Sequence, residues 1–222
     1  GKFNWLITAG TALGPNAKIK VVDAAINYGL DGISAAFETK GSLEMKLPTP
    51  GNPEDYVSDA PQAVRWKRYG NIASVNVYYS DAGGAPYNNV MFGGPVAFVG
   101  AETEHQENWT PPHNIDIDYR IKVEDAANNS VFVESDLFTV KGKVQITSPD
   151  AQGYTWKIAQ GAETQTITWN IVDGNVPNVK IEGSALGTFA DAYTIHASTP
   201  AQNVSVFNGS NNPVAQDLYD GL

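Results

Sequence analysis

Three histidines, His105, His113 and His196, are the first residues to weigh for metal or proton-transfer chemistry in this 222-residue chain. Their spacing fits no ligand pattern and no helical period pairs them, so they read as surface-loop residues. Glu102, Glu104 and Glu107 stand close together in AETEHQENW. Carboxylates so spaced suit an acid/base pair or a calcium site, but the matching region later in the chain has no such cluster, and the reading is solvated acids. Asp116, Asp118 and Asp125 lie around one strand-like run and are the better calcium candidates by oxygen-ligand chemistry. GSALG at positions 183–187 lacks the central serine of a nucleophile elbow, and no run resembles a phosphate loop. The expectation is a protein that is not an enzyme, with no cofactor and calcium as the one weak candidate.

The chain has no cysteine, which removes disulfides and thiolate metal sites. Its net charge of −10 argues against nucleic acid and anionic membrane as partners, since both require a basic face. No stretch reaches the roughly 18 apolar residues of a membrane span. Trp66 and Trp169 suit sugar stacking by type, but each sits in phase on an alternating strand and reads as core. Asn108, Asn128, Asn203 and Asn208 each open an Asn-x-Ser/Thr sequon and are candidate glycan sites in an exported protein.

The elements that must carry these residues are strands. AKIKVV sets Ile19 and Val21 against Lys18 and Lys20, and GISAAFETKG puts Ile33, Ala35 and Phe37 on one face, with turn residues between the two runs. QAVRWKR aligns Val64 with Trp66, ASVNVYYS aligns Val75, Val77 and Tyr79, and YRIKVED aligns Tyr119, Ile121 and Val123. PVAFVG is a short apolar run, AETEHQENWTPPHN reads as a long polar loop, and SVFVESDLFTVKG closes the set. About seven short strands in about a hundred residues, with turn signals between them, indicate an antiparallel β-sandwich of immunoglobulin type.

The chain also repeats itself. Asp23-Ala24 match Asp125-Ala126, Phe37 matches Phe138, Lys40-Gly41 match Lys141-Gly142 and Pro48 matches Pro149. Trp5 matches Trp109, Trp66 matches Trp169, and Gly70-Asn71 match Gly174-Asn175, so every offset lies between 101 and 104. A period near a hundred residues indicates whole domains in tandem. On this reading residues 42–141 form a complete sandwich. Residues 142–222 form a second that lacks its last two strands, and residues 1–41 carry two such strands with no sheet of their own.

ITSPDAQGYTWKIAQGAETQTITWNIVDGNVPNVKIEGS resembles tandem Ig-like cell-surface repeats of bacteria and archaea, related to the Kre9/Knh1-like domain of Ser/Thr-rich, GPI-anchored cell-wall proteins. PTPGNPEDYVSDAPQAVRWKRYGNIASVNVYYSDAGG keeps the proline, the tryptophan, the Gly-Asn turn and the YYSDAGG end, while RIKVEDA and FTVKG match the repeat's tail. The resemblance implies a non-enzymatic, extracellular or cell-surface module. Together these readings lead to a structural subunit or repeat period of a filament, sheath or surface layer, whose partners are copies of itself joined head to tail. Ile19, Val21, Ile33 and Phe37 are expected to dock against Ile167, Trp169, Val179 and Ile181 of a neighbouring copy, and a continuous tandem chain would make the same contact covalently linked. The alternatives are an adhesion or carbohydrate-binding module, with Tyr87 and Trp109 as its first residues to test, or an accessory domain of a surface enzyme.

Overall fold

The computed structural model describes residues 1–8, 11–24, 31–150, 165–201 and 207–208, and every regular element among them is a strand. Four short strands come first: β1 (Gly14–Ala17), β2 (Lys20–Val22), β3 (Asp31–Ile33) and β4 (Phe37–Thr39). β2 pairs antiparallel with β3, and β1 pairs antiparallel with β4. The run AKIKVV is therefore divided between β1 and β2, because its two ends pair with different partners. The turn at 25–30 lies outside the described residues.

Ten strands follow: β5 (Ser42–Leu47), β6 (Tyr56–Val57), β7 (Gln62–Tyr69), β8 (Ser74–Ser80), β9 (Asn89–Val90), β10 (Val96–Ala97), β11 (Glu104–Trp109), β12 (Asp116–Asp125), β13 (Asn128–Glu134) and β14 (Phe138–Lys141). The last five are β15 (Lys143–Ser148), β16 (Thr166–Asp173), β17 (Asn178–Gly183), β18 (Tyr193–Pro200) and β19 (Phe207–Asn208). The chain divides into two compact units. The first comprises Gly1–Asp55, Gln62–Trp109 and Ile117–Thr139, and the second Tyr56–Pro61, Thr110–Asp116 and Val140–Leu222.

Two sheets face each other in the first unit. One has the order β11-β7-β5. The other runs β10-β8-β12-β14, with β9 also on β8 and β13 also on β12. Within the second unit β6 pairs parallel with Val140 and Lys141. Period-two alternation decides which side chains meet between the two sheets of the first unit. Val64 and Trp66 of β7, Val75 and Val77 of β8, and Tyr119, Ile121 and Val123 of β12 are all fully buried. Trp109 of β11 closes one end of this core, with its ring 5.1 Å from Tyr79, 6.3 Å from Tyr119 and 6.5 Å from Phe138. The architecture is all-β and consistent with a β-sandwich.

β11 corrects an expectation. Residues 104–109 are an edge strand rather than part of a loop, pairing antiparallel with β7 from Glu104–Lys67 to Trp109–Gln62. The segment alternates as a strand does, with Glu104, Gln106 and Asn108 exposed and His105, Glu107 and Trp109 turned in. Two of the three inward residues are polar, which hid the period. Arg68 was also passed over, although it continues the inward series of Val64 and Trp66. It is buried, donates to the carbonyls of Glu102 at 2.8 Å and Gly100 at 3.2 Å and to that of Ile72, and lies over the Phe98 ring. It ties the loops at residues 70–73 and 98–103 to the end of β7. Arg68→Leu leaves these carbonyls without their charged donor, and urea unfolding of the first unit should show a loss of about 2 kcal/mol.

The second unit contains a three-stranded sheet, β15-β16-β19, and a two-stranded sheet, β17-β18. Its pairings echo those of the first. Ile146 stands opposite Trp169 as Met45 stands opposite Trp66. A glycine contact recurs as well. A Cβ on Gly70 would meet Gly41 and Leu13, whereas a Cβ on Gly174 would meet Gly142, Ile115 and Ser58.

Candidate functional site

The polar residues that the sequence offers are placed as follows among the described residues. Asp116 and Asp118 begin β12 and Asp125 ends it, so the ten-residue strand holds the first and last about 30 Å apart and the three cannot share one ion. Asp125 is instead buried and accepts the backbone N–H of Ala127 at 2.9 Å, closing the turn into β13. Among the described residues no cluster of three acidic or histidine side chains is arranged to hold a metal. Trp66 and Trp169 are buried, as is Trp109, which removes all three as open stacking platforms. Asn108 is exposed on β11. Asn128 is engaged, its side-chain oxygen accepting from the Ser130 hydroxyl at 2.7 Å and its amide donating to Glu38 at 3.3 Å. Asn203 lies outside the described residues.

The histidines differ from one another. His113 is exposed, and its Nδ1 lies 2.6 Å from an Asp59 carboxylate that also accepts the Gly174 N–H at 3.1 Å. The His113 contact holds the Asp59 carboxyl below its usual range, with the Gly174 bond adding to the effect. His196 is half-buried on β18. His105 is a strand residue and not the loop residue expected. Its ring lies against Trp66 and Phe98, with Nδ1 2.8 Å from Glu102 and Nε2 3.1 Å from Glu107. Burial opposes its charged form, but the Glu107 and Glu102 carboxylates outweigh burial and raise its pKa above the ordinary value. Because the folded form binds the proton more tightly, this contribution is complete below the unfolded pKa of about 6.5 and is lost as pH rises through the folded value. The melting temperature of the first unit should accordingly drop across that interval in the native chain. His105→Gln should flatten the slope.

The chemistry that does assemble is apolar. In the N-terminal hairpin Ile19 is 45%, Val21 69% and Ile33 60% exposed. The hairpin is nevertheless ordered in the same way as the β12–β13 hairpin of the closed core. Lys20 pairs with Ile33, Val21 with Gly32 and Val22 with Asp31, as Lys122 pairs with Glu134, Val123 with Val133 and Glu124 with Phe132. The same serine lock closes both. The Ile19 N–H donates to Ser34 Oγ at 2.9 Å, and the Ser34 N–H returns to the Ile19 carbonyl at 2.9 Å. The corresponding bonds between Ile121 and Ser135 are 3.0 and 2.8 Å. Each serine hydroxyl then donates to the next carbonyl, Ala35 or Asp136, at 2.8 Å. Where Ile121 and Val123 are buried, Ile19 and Val21 are bare. Phe37 departs from its expected part. It pairs with Ala17 and is half covered, lining a recess with Leu13 and Tyr69 inside the first unit.

The second unit offers the converse surface. Ile146, Ile167, Trp169, Val179, Ile181 and Phe189 line an open groove of about 530 Å³. All four residues expected to receive the hairpin are among them. Met45 is 2% exposed beneath its own sheet, but its counterpart Ile146 is 56% exposed. One strand edge beside the groove is open too. β18 places Thr194 opposite Glu182 and Thr199 opposite Val179, as β9 places Val90 opposite Tyr78 and β10 places Val96 opposite Val75. β18 thus takes the side of β9 and β10. Among the described residues nothing pairs with the side of β17 that corresponds to the β12 side of β8.

The fold and its surfaces describe an all-β protein with an exposed hairpin on one unit and, on the other, an open groove floored by the buried Trp169 and Ile181. No protein-family model matches the chain, and a search of curated proteins finds no match.

Proposed function

We propose that the protein is a structural element of an extracellular filament, sheath or surface layer, built of tandem immunoglobulin-like sandwiches. Its copies join head to tail by strand complementation. The observation that carries this reading is the pair of hairpins with one register and one serine lock. The β12–β13 hairpin covers the core of its own unit, whereas in its twin Ile19 and Val21 stay exposed while the second unit holds an open groove. Seating the twin in that groove buries Ile19 and Val21, which stabilises the contact by about 3 kcal/mol before ordering costs, while Ile33, opposite Lys20, stays on the outer face and departs from its expected docking part. It also pairs two open strand edges that would otherwise be aggregation-prone. A contact of this kind between unlike surfaces does not close on itself, so repetition gives a fibre.

The test is the mass of the denatured native protein beside a negative-stain image of the undenatured sample. Fibres that release chains of about 24 kDa support separate subunits. A mass many times larger supports one continuous chain of repeats that makes the same contact between successive periods. Monomers without fibres overturn the filament and leave a surface-binding module.

A further inference from the structure

We infer a specific register for this contact: β2 of one copy adds antiparallel to the open edge of β17 in another, with Lys20 opposite Glu182, Val21 opposite Ile181 and Val22 opposite Lys180. The inference rests on the strand-complementation reading and deepens it. It follows from three registers. In the closed core, β12 lies on β8 with Lys122 opposite Tyr78, Val123 opposite Val77 and Glu124 opposite Asn76. β2 takes the place of β12 through the shared hairpin register, which equates Lys20 with Lys122 and Val21 with Val123. β17 takes the place of β8 because β18 pairs with it where β9 and β10 pair with β8, which equates Glu182 with Tyr78 and Ile181 with Val77.

The side chains fit this register on both faces. Inward, Val21 meets Ile181 beside Trp169, the same apolar pairing as Val123 on Val77 beside Trp66. Outward, Lys20 comes to lie across from Glu182. In the free chain Lys20 pairs with Asp31 at 2.5 Å, and Glu182 pairs with Lys180. Opposite charges directly across two strands favour a register, and like charges oppose it. A slip of two residues one way sets Lys20 against Lys180, and the other way sets Lys20 against Ser184 and Val21 against Gly183, so the first meets like charge and the second loses both the opposite charge and the apolar partner. A slip of one residue turns Val21 outward and is excluded by burial.

The absence of cysteine makes the register directly measurable. Antiparallel partners hold their Cα atoms about 4.5–5.5 Å apart, within disulfide range, whereas positions displaced by two residues fall outside it. The full chain carrying K20C and E182C should give, under mild oxidation, a ladder at multiples of 23.8 kDa on a non-reducing gel, collapsing when reduced. The chain carrying K20C and K180C should give a ladder at least tenfold weaker. Light scattering before oxidation reports independently whether copies associate. Association with a ladder from the 20/180 pair alone, or from neither pair, overturns the register and leaves complementation standing. A sample that scatters as a monomer and gives no ladder overturns both.

Discussion

Val21→Asp should leave each molecule folded and abolish assembly. Val21 is the most exposed of the four bare apolar residues of the hairpin, and nothing in its own unit depends on its packing, so circular dichroism and melting of the isolated chain should barely change. In the proposed contact the same position faces Ile181 beside Trp169. There the substitution removes about 2 kcal/mol of apolar transfer and strands a carboxylate in an apolar groove, a further cost of several kcal/mol. An association constant reduced by at least about a thousandfold is expected, read as loss of fibres by negative stain and as monomers by sedimentation. Removing residues 1–41 should give the same loss of assembly. Assembly that survived Val21→Asp would show that the hairpin face is not the contact.

Gly174→Ala should be among the most damaging single methyl additions in the second unit. Gly174 has φ +79°, a conformation in which a side chain is strained. A Cβ there would stand 2.5 Å from Ser58 Oγ, 2.8 Å from the Gly142 Cα and 2.8 Å from Ile115 Cγ2, so backbone as well as side chains must give way. Backbone strain of about 1 kcal/mol and overpacking of about 1–3 kcal/mol combine to a loss of about 3 kcal/mol. Urea unfolding should show it in the transition of the second unit. Gly70→Ala is the informative companion. Its nearest neighbours would be 3.2 and 3.3 Å away at an equally left-handed φ of +84°, so the strain is shared but the collision is milder.

Strands that alternate apolar with charged residues were plain from sequence. Val64 and Trp66, Val75 and Val77, and Tyr119, Ile121 and Val123 all fall inside as their period requires. What period could not give was anything set by polar side chains turned inward. β11 escaped because His105 and Glu107 occupy two of its inward positions, stabilised there by each other and by the edge of β7. Arg68 escaped because a charged residue at an inward position looks like the end of a strand, unless the carbonyls that satisfy it are known. The residues that line the groove were legible for a different reason. The repeat placed Ile167, Trp169, Val179 and Ile181 by analogy with Val64, Trp66, Val75 and Val77, and all four line one groove. Phe37 was misjudged because the repeat equates it with Phe138 without revealing that Leu13 and Tyr69 lie beside it. The calcium candidates failed on distance, since proximity in sequence along a strand is separation in space.

The bare hairpin and the bare groove are different surfaces carried by different units. A row joined by the proposed contact would therefore have direction, with a free hairpin at one end and a free groove at the other. The two tips are chemically unlike and need not elongate at one rate. On that proposal, anchoring a single groove would fix where a fibre starts, and any protein that offers a hairpin but no groove would end it. Length and polarity would then be set by the scarcest end-piece rather than by the supply of the repeating unit.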